Sequence, residues 1–171
     1  MSSSNLFFFV FLPILLSTSP LVTAADDDKP TAYEVLQQYD FPVGILPKGV
    51  TGYELDRATG KFTVHFDKTC SFNIQGYQLR YKSKITGVIS KRALKNLSGV
   101  QVQVLFLWLN IGEVTRDGDE LDFSVGIASA DFTIDNFLES PQCGCGFDCV
   151  NAFGETKNST RFFNWKRLDA N

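Results

Sequence analysis

Between residues 99 and 126 the chain reads GVQVQVLFLWLNIGEVTRDGDELDFSVG, with apolar side chains at every second position over long runs. Val100, Val102, Val104, Phe106, Trp108 and Val114 fall on one side of an extended chain, together with Leu121, Phe123 and Val125. Successive side chains of a strand point to opposite faces, so this alternation predicts strands with one buried face. Asp117-Gly118, between the two apolar runs, predicts a two-residue hairpin loop. That loop would set Val114 opposite Leu121, Gly112 opposite Phe123 and Asn110 opposite Val125. The second side begins polar at Gln101 and Gln103 and turns apolar at Leu105, Leu107 and Leu109, which predicts cover on both faces at that end. A strand running unbroken through residues 99–114 would be unusually long, so a bend is expected at Asn110-Ile111-Gly112.

Upstream the same alternation returns in shorter pieces. Tyr53 and Leu55 precede a turn at residues 57–60, after which Phe62, Val64 and Phe66 alternate with Lys61, Thr63 and His65. Residues 70–74, 77–82 and 85–89 read as further strands, with Gly87 a candidate bulge. Residues 92–97 read as a loop or a single helical turn. Many short strands at this spacing predict an antiparallel sandwich or barrel. One helix is expected: Thr31 and Glu34 have capping-box spacing, and Ala32, Val35, Leu36 and Tyr39 share a face until Phe41-Pro42 ends it. Residues 41–50 set two prolines and two glycines among apolar residues and predict a rigid connector packed on the core. Phe132, Ile134, Phe137 and Leu138 are expected to pack across an open end.

The termini change the domain picture. Residues 6–16 form an apolar run of signal-peptide length, and Val22-Thr23-Ala24 places the cleavage after Ala24, although no Lys or Arg precedes the run. An uncleaved anchor is the alternative. The reading is therefore a signal peptide over 1–24, a flexible mature N-terminus over 25–30, a single domain over 31–143 and a C-terminal tail over 144–171. In the tail, Phe162, Phe163 and Trp165 beside Arg161, Lys166 and Arg167 predict a segment folding back onto the domain; docking at a membrane surface is the alternative. Residues 154–159 have the composition of a disordered stretch.

A net charge of −3 gives no reason to expect a nucleic-acid partner. Its distribution matters more. Arg80, Lys82, Lys84, Lys91, Arg92 and Lys95 occur without an acid between residues 78 and 96, and they form a candidate basic surface for anionic membranes or acidic polysaccharides. Lysines guarding a sheet edge are the plainer explanation. The cysteines, Cys70, Cys143, Cys145 and Cys149, all follow the leader, and an even number in a secreted chain favours disulfides. Among three pairings, Cys70–Cys143 with Cys145–Cys149 is preferred because it ties the chain end to a distant strand. A metal site of Cys143, Cys145, Cys149 and Asp148 is the competitor, disfavoured in an oxidising compartment. Sequons at Asn96 and Asn158 are candidate glycosylation sites.

Catalytic signatures are scarce. His65 is the one histidine, and its pattern puts it on a solvent face with Lys61 and Thr63. No nucleophile elbow, zinc-protease, dinucleotide or P-loop motif occurs. Asp117, Asp119, Glu120 and Asp122 lack the spacing of an EF-hand and read as an acidic hairpin tip. No catalytic residue, metal or cofactor is expected, and a glycosidase pair has nothing in the sequence to support it.

The string YDFPVGILPKGV over residues 39–50, TGKF over 59–62, Cys70, Gly99-Val100 leading into Phe106-Leu107-Trp108-Leu109, FSVG over 123–126, and Phe137 through Ser140-Pro141 with Cys143 form an ordered series. This series resembles the plant family called domain of unknown function 538, over residues 32–143. The resemblance implies a plant protein with a small antiparallel β-barrel and an N-terminal helix, a barrel likened to the lipid-binding fold of bactericidal permeability-increasing proteins. It also implies candidate activities, lipid or lipopolysaccharide binding and hydrolysis of chlorophyll esters, with no site motif to transfer onto these residues. The combined expectation is a mainly β protein of the secretory pathway, extracellular or in an endomembrane lumen, that binds an apolar or amphipathic, lipid-like ligand without catalysis. An ester hydrolase acting on chlorophyll-like substrates, and a cell-wall or endomembrane interaction protein using the basic face, are the alternatives.

Overall fold

The computed structural model describes residues 29–74, 77–147 and 149, and the backbone of 164–167. The predicted leader and its cleavage site, Asp148, Asn158, Phe162 and Phe163 lie outside the described residues. The protein is mainly β. Helix α1 (Ala32–Gln38) is followed by a 3₁₀ turn (Val43–Ile45) and strands β1 (Val50–Leu55), β2 (Lys61–Phe66), β3 (Cys70–Ile74), β4 (Tyr77–Ser90), β5 (Ala93–Val104), β6 (Leu107–Asn110), β7 (Glu113–Asp117), β8 (Glu120–Ser124), β9 (Ala128–Thr133) and, after a second 3₁₀ turn (Ile134–Phe137), β10 (Asn164–Arg167).

The capping box forms as read. The Thr31 side chain accepts from the Glu34 backbone N–H, and the Glu34 carboxylate accepts from the Thr31 N–H at 2.7 Å. The backbone donor of Thr31, then its hydroxyl, hold the Glu34 carboxyl below the usual range. The helix buries Ala32, Val35 and Leu36. The connector after it packs inward, with Phe41, Ile45, Leu46 and Pro47 all buried.

The strands form one antiparallel sheet in the order β1-β2-β4-β5-β7-β8-β9-β10, with β3 also on β4 and β6 also on β5. The β4–β5 hairpin is its spine. One half of this hairpin carries β3 and β6; the other carries β2 and β7. Between the halves, residues 82–85 of β4 oppose Gly99 alone on β5, an irregularity that bends the sheet. Gly99 sits there at φ 96°, and a Cβ on it would lie 2.4 Å from the Lys84 carbonyl oxygen, so no other residue fits without moving backbone. The concave face wraps α1 and the connector around a core that includes Val64, Tyr81, Ile85, Val102, Val114, Leu121 and Phe123. Among the described residues the path of strands runs from β1 to β10 with no pairing back to β1. The expected closed barrel is therefore not what the described residues form: the sheet is open, bent and antiparallel, with α1 packed against its concave face.

Four local expectations are corrected. First, the chain does not run extended from residue 99 to 114. It reverses at Leu105-Phe106, and β6 folds back on β5 with Val104 opposite Leu107, Gln103 opposite Trp108 and Val102 opposite Leu109. The reversal swaps the faces beyond it: Leu107 and Leu109 share the side of Val102 and Val104, and Trp108 stands outside with Gln103. Double cover of Leu105 and Leu107 fails with it, since they are 83% and 59% exposed. Second, the next hairpin loop is Gly118-Asp119, with Asp117 opposite Glu120 and Val114 opposite Phe123 rather than Leu121. Gly118 takes φ 58° at the first loop position, the glycine-first form of a two-residue turn. The loop slips by one residue and the pairing therefore by two, so Val114, Leu121 and Phe123 keep their common buried face. Third, the extra residue near Gly87 is on the partner strand: Thr86 pairs with Ser98 and Val88 with Lys95, leaving Asn96-Leu97 against Gly87. Fourth, the β4–β5 turn is limited to Lys91-Arg92, so residues 93–97 are strand, not loop.

Near its C-terminus, the chain is tied down. Cys70 and Cys143 form a disulfide with Cα atoms 5.1 Å apart, and Cys145 bonds Cys149 across 5.0 Å. Lys48 donates to the Pro141 carbonyl and Gly144 to the Ser71 carbonyl, each at 2.8 Å, so residues following Cys143 lie against β3. Phe137 packs inward on Phe123 as expected, but Leu138 is exposed. Backbone pairing of β10 with β9, Trp165 opposite Ala130, brings this part of the tail back onto the domain.

Candidate functional site

The bend in the sheet leaves two apolar cavities along its concave side. The first, about 60 Å³, lies between α1 and the sheet, walled by Val35, Leu36, Ile45, Phe62, Ile85 and Leu94 among others. The second, about 50 Å³, lies toward the β3–β4 end, walled by Phe72, Tyr77, Leu79, Val102, Phe132 and Phe137. Tyr81, Ile111 and Phe123 line both, so these side chains form the partition. No charged side chain contributes to either wall. The partition is aromatic and well anchored: Phe123 stacks on Phe137 at 5.4 Å and meets Phe132 edge-on at 5.3 Å, while Tyr81 stacks on Phe72 at 5.7 Å. The Tyr81 hydroxyl donates to the Ile45 carbonyl at 3.0 Å, and burial pushes its phenol well above the ordinary range. That hydroxyl is a pinned group, and an acid or base made from it would be ill-suited to turnover.

The remaining candidates lie outside this interior. His65 is on the outer face of β2, opposite Lys84 on β4, with Phe62 and Val64 pointing the other way. The six basic residues do not form one surface. Arg80, Lys82 and Lys84 follow the outward positions of β4, and the Arg80 guanidinium lies 3.7 Å from the centre of the Trp108 ring. Lys91, Arg92 and Lys95 belong to the opposite end of the β4–β5 hairpin, where they pair with Asp40 at 3.6 Å, Asp117 at 3.5 Å and Glu113 at 3.2 Å. The acidic hairpin is therefore in part the counter-charge of the basic turn. Asp122 is placed opposite Asp131 across β8 and β9. Partial burial, opposed by a Ser129 hydrogen bond and reinforced by Asp131 and Glu113, raises its carboxyl above the usual range.

Asn96 is exposed and sits in the bulge at φ 52°, a conformation asparagine tolerates better than most residues. All four cysteine sulfurs are in disulfides, which leaves no thiolate for the competing metal site. What sequence reasoning missed is the partition: Ile111 was legible only as part of a bend, and nothing in its spacing marks it as a wall between two voids.

Architecture and interior together define a mainly β protein with an apolar hollow under one bent sheet. Residues 32–138 match the family described as "Protein of unknown function, DUF538", and the chain belongs to that family. It is also similar to a protein from Arabidopsis thaliana described as "Uncharacterized protein At5g01610", 30% identical over 95 residues. The match covers 55% of this chain and 55% of the Arabidopsis protein, so the chain spans about half the length of that relative.

Proposed function

We propose that the protein is a secreted, barrel-like binder of an apolar or amphipathic, lipid-like small molecule, acting without catalysis. The observation that carries this reading is the pair of uncharged cavities separated by three side chains. Interiors are normally packed to crystal density with few voids, and these two adjoin one another and share an uncharged lining. Each is far smaller than the roughly 300–1,000 Å³ that holds a whole small-molecule ligand. An apolar chain end seated against the anchored partition of Tyr81, Ile111 and Phe123 is the occupant their size and lining favour. Both disulfides fit an oxidising secretory compartment, and no helix among the described residues is long and apolar enough to cross a membrane. A leader cleaved after Ala24 and glycans on Asn96 and Asn158 complete the reading.

The test is extraction of natively purified mature protein followed by mass spectrometry, together with titration by a fluorescent polyene fatty acid. A recovered apolar molecule and saturable binding that Ile111→Trp abolishes are the expected results. Empty protein with no saturable uptake would refute the reading. The ester-hydrolase alternative gains nothing from the position of His65 on the outer face, beside a lysine.

A further inference from the structure

The two-residue loop joining β5 to β6 carries two costs at once. Leu105 and Phe106 are 83% and 81% exposed, and Leu107 beside them is 59% exposed. Leu105 also adopts φ 57°, a left-handed conformation that such loops ordinarily assign to Gly, Asn or Asp. A leucine there adds backbone strain to apolar exposure, and strain held at a surface tip is a pointer to use. Asn-Gly would form the same turn more stably. The fold itself therefore gives no reason for these side chains.

Behind the tip the outer face of the sheet is graded. Trp108, opposite Gln103, stands two residues back from Phe106, and its ring is covered by the Arg80 guanidinium. Arg80 is level with Gln101, four residues behind Leu105, or roughly 13 Å at the rise of a strand. Lys82 and Lys84 continue the same outward line. No Asp or Glu occurs between residues 70 and 112. Lys91, Arg92 and Lys95 are occupied by carboxylates at the far end, whereas Arg80, Lys82 and Lys84 have no ion pair among the described residues. Apolar apex, then indole, then unpaired cations is the depth order of acyl chains, headgroup boundary and phosphates in a bilayer.

We propose that the β5–β6 tip is a membrane wedge: Leu105, Phe106 and Leu107 insert into the outer part of an anionic phospholipid bilayer. Trp108 then rests at the headgroup level, and Arg80 and Lys82 bind lipid phosphate. The charges select anionic lipid and set the orientation, while the wedge supplies the apolar area. This inference is independent of the cavity reading, because Ile111→Trp blocks the cavities and leaves the wedge intact.

The experiment is flotation of the mature protein with vesicles of phosphatidylcholine containing 30% phosphatidylglycerol. The double variant L105N/F106D is compared with wild type, both in a Trp165→Phe background so that Trp108 reports alone. Wild type is expected to float with the anionic vesicles, with Trp108 emission shifted to the blue. L105N/F106D should lose about tenfold or more in partition while its melting temperature holds or rises, because the turn strain is relieved. R80Q/K82Q should weaken binding and flatten its salt dependence. Unchanged flotation of L105N/F106D overturns the proposal, as does failure of wild type to float. A concentration-dependent dimer that this variant abolishes would also overturn it, by assigning the tip to a second copy of the chain.

Discussion

Removing the Cys70–Cys143 bond tests the architecture most directly. The two cysteines are 73 residues apart in sequence, and the segment between them holds the whole β4–β5 spine and all of β6 to β9. A cross-link of this span limits the unfolded chain through loop closure, and the standard relation gives about 4.5 kcal/mol at 25 °C. The same relation gives about 2 kcal/mol for Cys145–Cys149, which closes a loop of only a few residues. Cys70 is also 1% exposed, so truncating it to alanine leaves a small void in addition. C70A/C143A should therefore cost at least about 4.5 kcal/mol, against total stabilities of roughly 5–15 kcal/mol for proteins of this kind. Equilibrium urea unfolding of the mature oxidised protein is the assay. At a slope of about 2 kcal/mol per molar urea, the midpoint should fall by about 2 M, and the slope should rise as the freed chain exposes more surface. C145A/C149A is the control and should move the midpoint by less than half as much. If the two double variants lose equal stability, or the short-loop variant loses more, loop closure is not the source of the stabilisation. The hydrogen bonds of Lys48 to Pro141 and Gly144 to Ser71 would then hold the C-terminal segment by themselves.

Gly99→Ala should destabilise the fold by about 3 kcal/mol or more, read by the same unfolding curve, because the added methyl meets the Lys84 carbonyl at a positive φ. Asp122 predicts a pH effect of definite sign. Its folded-state value is raised, so the protonated form favours folding, and that contribution is lost as pH rises from the unfolded value through the folded one. Asp122→Asn should flatten the melting temperature, relative to wild type, as pH rises from the ordinary carboxylate range; an unchanged profile refutes the assignment. Asn96→Gln should remove one glycan in a plant secretory host, seen as one fewer mobility step on deglycosylation, and no step at all in Asn158→Gln would show that Asn96 is unused. A His65→Ala variant should leave any hydrolysis of a chlorophyll-type ester unchanged, since the ring faces away from both cavities.

Where one local rule governed, the sequence was enough. Thr31 and Glu34 specify a helix start within four residues, and the structure builds both hydrogen bonds of the box. Cys70–Cys143 followed from chain statistics, which do not require knowledge of the fold. The Asp117-Gly118 error was harmless for a physical reason: moving a two-residue loop by one position shifts cross-strand pairing by two, and a period of two restores every face. The error at Leu105-Phe106 was not harmless. Alternation alone cannot distinguish a continued strand from one that turns back, and neither residue carries a turn signal. A reversal through two residues reassigned Trp108 from the core to the outer face, and with it the role of Arg80.

The same case explains why the functional features were hidden. A void belongs to no residue: it is what remains after Phe123, Tyr81 and Ile111 have taken positions fixed by two different strands and a loop, so no pattern along the chain marks it. The tip is hidden for the opposite reason, because its residues break the turn chemistry by which loops are recognised. A loop that obeyed the rule would have been found and would have had nothing further to do. Positions where local preference and observed conformation disagree are where selection for something other than stability is visible. At Leu105 that disagreement coincides with apolar exposure, on a strand end whose cations, behind an indole, have no ion pair among the described residues.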